Sequence, residues 1–260
     1  MGQTPMTTDN GQQDGARRQI SSERRLRPAV VRSVELLTPH MKRVVVQMDD
    51  IDEFSVQSYG QWVKVFLPRE ADEKLVGRAY TICAFREATG ELDMDFVLHS
   101  HGALSSWAMS AKAGDRIDIA GPRSGFRIGE ATRHLLIGGD ETALPAIRSI
   151  VEAIPAGVKV DAFIEIPDMR DKQPIQSQAA LSLTWLPRQG PQPQAPDALV
   201  NAMMKADFPD NDSELWFAAE ALPVRMIRRH FLADRKIHSS RISVSGYWKR
   251  GVDDFRDSES

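Results

Sequence analysis

The chain has 260 residues, a formal net charge of −3 and 42% hydrophobic residues. That length suits two modest domains or one large one, and it lets roughly three-quarters of the unfolded surface be buried. The slightly acidic balance excludes a general nucleic-acid or polyanion binder, so any preference for an anionic ligand must come from a local patch. One cysteine, Cys83, rules out an intramolecular disulfide. No run of about 18 apolar residues offers a transmembrane helix. Residues 1–22 are rich in Gln, Asp, Thr and Gly and lack an apolar signal core, so they read as a disordered tail. The expected location is the cytoplasm. The expected state is a monomer with no nucleic-acid or membrane partner.

From Pro28 to Ile119 the pattern is mostly period two. Val44, Val46 and Met48 alternate with polar positions, and Trp62 to Leu67 alternates again until Pro68 stops it. Arg78 to Ala84 and Leu92 to Leu98 read as two strands around the turn Glu87-Ala88-Thr89-Gly90, and Asp115 to Ile119 as another. One helix interrupts them, with Leu104, Trp107, Ala108 and Ala111 on a shared face. Short strands at this spacing predict an antiparallel barrel or sandwich.

After Gly121-Pro122 the rhythm changes. Strands are predicted at His134–Ile137, Lys159–Ile166, Leu181–Leu186, Leu215–Ala218 and Ile242–Tyr247. Helices are predicted from Ala146 to Ala153, Asp197 to Lys205 and Pro223 to Leu232. Strands alternating with helices predict a parallel sheet with crossovers. The boundary between the halves falls near Arg127 to Thr132, and Pro187 to Pro196 reads as a surface loop.

Three blocks carry chemistry. Gly139-Asp140-Glu141-Thr142-Ala143-Leu144-Pro145-Ala146-Ile147 links a strand to a helix start, the usual cradle for a phosphate or dinucleotide, without the generic GxGxxG fingerprint. Arg78-Ala79-Tyr80-Thr81 sits on a barrel strand, with Arg78 and Tyr80 on one face and Ala79 and Thr81 on the other. Gly246-Tyr247-Trp248-Lys249-Arg250-Gly251 closes the series. Together with Asp95-Phe96-Val97-Leu98-His99, Trp107-Ala108 and Gly121-Pro122-Arg123, these blocks resemble the siderophore-interacting proteins. Those are flavin-dependent ferric-siderophore reductases of ferredoxin-reductase-like architecture. The likeness covers roughly residues 27 to 255.

The resemblance implies an N-terminal antiparallel β-barrel that binds FAD over residues 23–128, after the 1–22 tail. It implies an α/β parallel-sheet domain of the NAD(P)H-binding kind over 129–260, whose C-terminal segment returns to the flavin. It places Arg78, Ala79, Tyr80 and Thr81 at the cofactor. An Arg suits a pyrophosphate, a Tyr ring suits the isoalloxazine, and a Thr hydroxyl suits the flavin N5. Asp95, Val97, His99, Ala103, Ser105, Ser106 and Trp107 follow, with helix N–H groups and the Ser105 and Ser106 hydroxyls facing the phosphates. Asp140, Thr142, Ala143, Tyr247 and Trp248 complete the cofactor set.

Lys64, Arg123, Lys249 and Arg250 are the implied substrate cations, a positive basin for an anionic ferric siderophore. The implied donor is NADH, NADPH or ferredoxin. Arg170, Lys172 and Arg188 are the basic candidates for a 2′-phosphate. The chain departs from the family pattern in three places: the loop before Trp107 is one residue shorter, Cys83 replaces an Arg, and Ala219 replaces a Gly. That Ala219 Cβ is expected to narrow a cofactor approach. No catalytic acid, base or nucleophile and no metal site is expected. His99-x-His101 has no third ligand nearby, and Cys83 reads as a small buried hydrophobe. The alternatives are a general flavin or ferric reductase of the same fold, and a non-catalytic siderophore-binding module.

Overall fold

A computed structural model describes residues 25–68, 77–99, 102–188, 198–209, 211–252, 255 and 257. The tail, residues 1–22, lies outside the described residues, as does His101. The first sheet contains β1 (Leu26–Thr38), β2 (Met41–Met48), β3 (Trp62–Phe66), β4 (Gly77–Thr81), β5 (Ala84–Arg86), β6 (Glu91–Val97) and β7 (Arg116–Arg123). Their order is β4-β3-β7-β1-β2-β6-β5, and each pairing is antiparallel. The sheet curls until its ends meet. Tyr80 on β4 stacks on Phe96 of β6 with ring centroids 4.0 Å apart. The two-residue link between β4 and β5 seals the seam, with Ile82 N–H donating to Gln61 O and Cys83 N–H to Asp93 O.

Period-two alternation fills the inside of this curl. Val44, Val46, Val63, Val65, Leu92, Met94, Ile117 and Ile119 form one buried cluster. Each such side chain contributes roughly 1.5–3 kcal/mol by leaving water. Helix α1 (Ala103–Ser110) caps the cluster with Leu104 and Ala108, four residues apart on one face. Ala111 is buried beyond its end.

The second sheet contains β8 (His134–Gly139), β9 (Lys159–Ile166), β10 (Ala180–Pro187), β11 (Ser213–Glu220) and β12 (Ile242–Trp248). Its order is β10-β9-β8-β11-β12, all parallel. Helix α2 (Leu144–Ala153) covers one face, while α3 (Ala198–Lys205) and α4 (Ala221–Arg229) cover the other. A strand covered on both faces reads as a continuous apolar run, and all six residues of β8 are buried. The chain winds outward from β8 to β10, then returns beside β8 as β11. The crevice outside the strand ends at that reversal is where open α/β sheets take ligands.

The two halves share a core. Leu37, Met41, Val97 and Phe126 of the first half pack into the cluster around α2. A buried carboxylate strengthens the joint. Asp95 accepts from Arg43 at 2.7 and 2.9 Å and from Arg148 of α2 at 2.6 Å.

Candidate functional site

The antiparallel register sorts the barrel residues by face. Val63 pairs with Tyr80 and Val65 with Arg78, so Arg78 and Tyr80 share the inner side with two buried valines. Trp62 pairs with Thr81 and Lys64 with Ala79, so Lys64, Ala79 and Thr81 share the outer side. The expected alternation within Arg78–Thr81 is present. Lys64 therefore stands across β4 from the Arg78 and Tyr80 side chains, and β4, at one end of the strand order, presents both sides. Arg123 pairs with Trp62 across β3 and β7, and its guanidinium lies 5.2 Å from the Trp62 ring. Its Nε is buried with no hydrogen-bond partner.

Tyr80, Phe96 and Trp107 form a row. The Trp107 ring tilts onto Phe96 at 5.6 Å, which sets α1 beside the Arg78–Thr81 strand. Burial pushes the Tyr80 phenol well above its ordinary range. The N-terminus of α1 is open. Gly102, Ala103 and Ser106 are exposed, the cap at Gly102 has φ 86°, no side chain among the described residues caps the first turn, and no acidic residue lies in it. Ser105 corrects one expectation. It is buried, and its hydroxyl accepts from His99 N–H and donates to His99 O, both at 2.8 Å. The hydroxyl shapes the loop and is not offered to a phosphate; of the serine pair, Ser106 is exposed.

Asp95 and Val97 also fall elsewhere than expected. Their side chains face the joint between the halves, where Asp95 holds Arg43 and Arg148 and Val97 packs near α2. Neither Arg43 nor Arg148 stands out in the sequence. The one signal is Arg148 as the single basic residue of the largely apolar α2 segment. Cys83 lies beside this cluster. Burial first, and Asp95 second, push its thiol up to about 12, although the residue itself is only half-buried.

The turn at 139–143 is the largest correction. Asp140 is buried and its carboxylate is saturated. Oδ1 accepts from Thr142 N–H at 2.9 Å and from the Thr142 hydroxyl. Oδ2 accepts from Glu220 N–H at 3.1 Å and from Trp248 Nε1 at 2.8 Å. Ala143 and Leu144 are buried, Ala143 N–H is spent on Asp140 O, and Pro145 removes a further donor. Gly139 is required by packing, since a Cβ there would lie 2.3 Å from Ala218 O and 2.7 Å from Ala143 Cβ. The side chains of Asp140, Thr142, Ala143 and Trp248 therefore fasten the strand ends to one another. The expected phosphate cradle is closed at this helix.

The neighbouring Glu141 bonds Arg188, which also reaches Glu165 at 2.9 Å. Burial, then the charge of Asp140, push the Glu141 carboxyl above its ordinary range against the pull of Arg188. Arg188 is thus held between two carboxylates. Arg170 is exposed and paired with Asp168, and Lys172 is exposed. Ala219 corrects another expectation. Its Cβ enters the core under α3 and α4, so it narrows no ligand approach. Tyr247 is 40% exposed and edge-on to Trp216 at 6.5 Å. Lys249 and Arg250 are exposed just after β12, with Arg250 3.7 Å from Glu220. Among the described residues no group of three His, Cys, Asp or Glu could hold a metal ion.

Residues 131–251 match the family model described as siderophore-interacting protein. Residues 30–76 and 69–126 match that of the siderophore-interacting FAD-binding domain. The fold is similar to the crystal structure of a siderophore utilization protein from T. fusca, with 30% identity and a TM-score of 0.81, covering 89% of this chain and 95% of that one. In sequence the chain is 29% identical over 235 residues to ferric vibriobactin reductase ViuB of Vibrio cholerae, covering 83% of this chain and 86% of the relative. It is 26% identical over 249 residues to the NADPH-dependent ferric-chelate reductase of Escherichia coli, covering 88% and 95%.

Proposed function

The chain belongs to the siderophore-interacting protein family, and on that premise we propose that it is an FAD-dependent reductase that takes electrons from a reduced donor, reduces a ferric siderophore and releases Fe(II). The observation that carries this reading is the open N-terminus of α1. It is a first turn whose N–H groups meet no capping side chain among the described residues, beside the Arg78–Thr81 strand and inside the segment that matches an FAD-binding domain. Such a terminus favours a pyrophosphate.

The residues present fit FAD. Arg78 would pair with the pyrophosphate, and Gly102, Ala103 and Ser106 would supply the helix end. Tyr80 on one face of β4, and Ala79 and Thr81 on the other, would hold the ring system at that strand, with His99 and Tyr247 as further candidates. When bound, FAD supplies an acceptor for two electrons that can be given up singly to iron. The protein's own part is to bind, orient and exclude water, and no side chain is needed as a general acid or base. Fe(II) suits the hard oxygen ligands of a siderophore less well than Fe(III), which releases the metal.

Lys64 and Arg123 on the outer face of β3 and β7, with Lys249 and Arg250 after β12, are the cations assigned to an anionic chelate. NADH or NADPH is the assigned donor, with ferredoxin the alternative, and the setting is the cytoplasm, with the chain as a monomer. No helix among the described residues is long and apolar enough to cross a membrane. The domain division proposed is 23–128 for FAD and 129–260 for the donor side.

The test is the identity of the flavin. Acid-released cofactor from the purified protein is expected to chromatograph as FAD. Recovery of FMN, or protein that stays colourless after incubation with FAD, refutes the reading.

A further inference from the structure

The last strand carries a feature that its sequence does not announce. Ala219 on β11 pairs with Gly246 on β12, but the next residue, Glu220, pairs with Trp248. One extra residue, Tyr247, therefore stands opposite the peptide between Ala219 and Glu220. Such a bulge bends its strand and re-aims the side chains that follow. Tyr247 is turned out to 40% exposure. Directly after it, Lys249 O accepts from Val252 N–H at 3.1 Å, closing a tight turn with Gly251 at φ 70°.

This turn has two anchors. The first is Trp248, whose indole N–H donates to Asp140 Oδ2 at 2.8 Å. The second is Glu220, whose carboxylate accepts from Arg250 N–H at 3.3 Å and lies 3.7 Å from the Arg250 guanidinium. Glu220 N–H itself donates to Asp140 Oδ2 at 3.1 Å. Both anchors therefore converge on one buried oxygen atom, at the strand reversal where ligands of such sheets bind. Oδ1 is held by Thr142, so the carboxylate cannot swing away without breaking bonds at both oxygens.

We propose that Asp140 is a positioning residue that acts through Trp248 and Glu220 to pin the β12 bulge and aim the Lys249–Arg250 turn at the ferric chelate. This deepens the reductase reading and rests on it. A carboxylate suits the task because two N–H donors arrive at a single oxygen. An Asn could accept at only one of its two side-chain positions, so one pair of donors would face an NH2 group. In either orientation one backbone N–H, of Glu220 or of Thr142, loses its acceptor and the clasp loosens while the side-chain volume stays the same.

The test is a double-mutant cycle on FAD-loaded protein with Asp140→Asn, Trp248→Phe and the pair. The probes are an anionic tris-catecholate ferric chelate and a neutral tris-hydroxamate one. Each single variant is expected to raise KM for the anionic chelate about fivefold, the size of one hydrogen bond's net contribution. Bound FAD, kcat and KM for the neutral chelate are expected to stay within about twofold. The double variant is expected to be no worse than the poorer single one, because both remove the same link. Trp248→Phe keeps the ring in place, so it serves if Asp140→Asn folds badly. Unchanged KM in Trp248→Phe, multiplying effects in the double variant, equal losses for both chelates, or loss of FAD each overturn the assignment. Wild-type protein that reduces neither chelate overturns the reductase reading itself, and this assignment with it.

Discussion

Two helices of this molecule begin in similar ways and end up with opposite uses. Helix α1 follows β6 through a glycine loop, and α2 follows β8 through a glycine turn. At α1 the cap is Gly102 at φ 86°, Gly102 and Ala103 are exposed, and no side chain among the described residues takes the free N–H groups. At α2 the cap residue Ala143 and the following Leu144 are buried, Pro145 removes a donor, and Asp140 absorbs the nearby N–H groups. The more distinctive sequence block is thus the one occupied by its own packing, and the plainer one is left open for an anion. A helix N-terminus becomes a ligand site only when the surrounding chain leaves it uncapped and unburied.

The largest effect that separates the two regions is expected at Arg78. Removing one side of a charge-assisted pair costs about 2–5 kcal/mol. Arg78→Ala is therefore predicted to raise the FAD dissociation constant at least tenfold, read by titration of the apoprotein. Retention of FAD at wild-type strength would return Arg78 to a purely structural part.

Glycine replacement tests the closed end next. The Cβ of Gly139→Ala meets the backbone oxygen of Ala218, and such overpacking costs about 1–3 kcal/mol. Its unfolding midpoint is predicted to fall by several degrees, while FAD binding measured below that midpoint stays near wild type. Among the described residues a Cβ at Gly102 meets only His99 Cε1 at 3.6 Å, so the cost of Gly102→Ala comes from its backbone, φ 86° with ψ 136°, at about 1–3 kcal/mol. The comparison fails if Gly139→Ala weakens FAD binding as much as Gly102→Ala does.

A charge at the open end gives a smaller and more pointed signal. Ser106→Asp is predicted to stabilise α1 slightly, by about 0.3–1 kcal/mol, and to weaken FAD binding by about fivefold through repulsion of the pyrophosphate. Glu141→Gln at the closed end should leave FAD affinity alone. Tighter FAD binding by Ser106→Asp would show that no phosphate lies there.

The smallest expectation concerns Cys83. A thiol raised to about 12 by burial stays protonated in the folded state up to high pH, while an unfolded one ionises near 8.5. Folding therefore holds the neutral thiol, and Cys83 lowers stability only as pH climbs past the unfolded value. Alkylation of the native protein by iodoacetamide at pH 8 should be much slower than that of the unfolded chain, because little thiolate is present. Rapid labelling of native protein would place the thiol in an open environment.

Much of this was legible in the sequence, and the gaps have physical causes. The facing of Arg78 and Tyr80 follows from strand alternation alone. The alternation of strands and helices after Gly121 is equally plain, since each parallel strand is buried on both faces. Strand β1 was not visible as a discrete element, because beyond Val31 its apolar residues Val34 and Leu36 point to solvent and the period is lost. The break at Ile82 and Cys83 hid β5, whose residues look continuous with β4. Asp140 could not be read from its neighbours, because three of its four donors come from far along the chain or from a backbone atom: Glu220 N–H, Trp248 Nε1 and Thr142 N–H. The face of Lys64 relative to Arg78 and Tyr80 was not legible, because it depends on the β3–β4 register.

The central claim is tested most directly by following the flavin through one turnover without oxygen. FAD-loaded protein is reduced with NADH or NADPH, a ferric siderophore is added, and flavin reoxidation is recorded together with Fe(II) captured by a chromogenic chelator. The account predicts that reoxidation depends on the ferric siderophore and yields two Fe(II) per FAD. Reduced flavin that persists in the presence of the ferric siderophore, or reoxidation with no Fe(II), would contradict it.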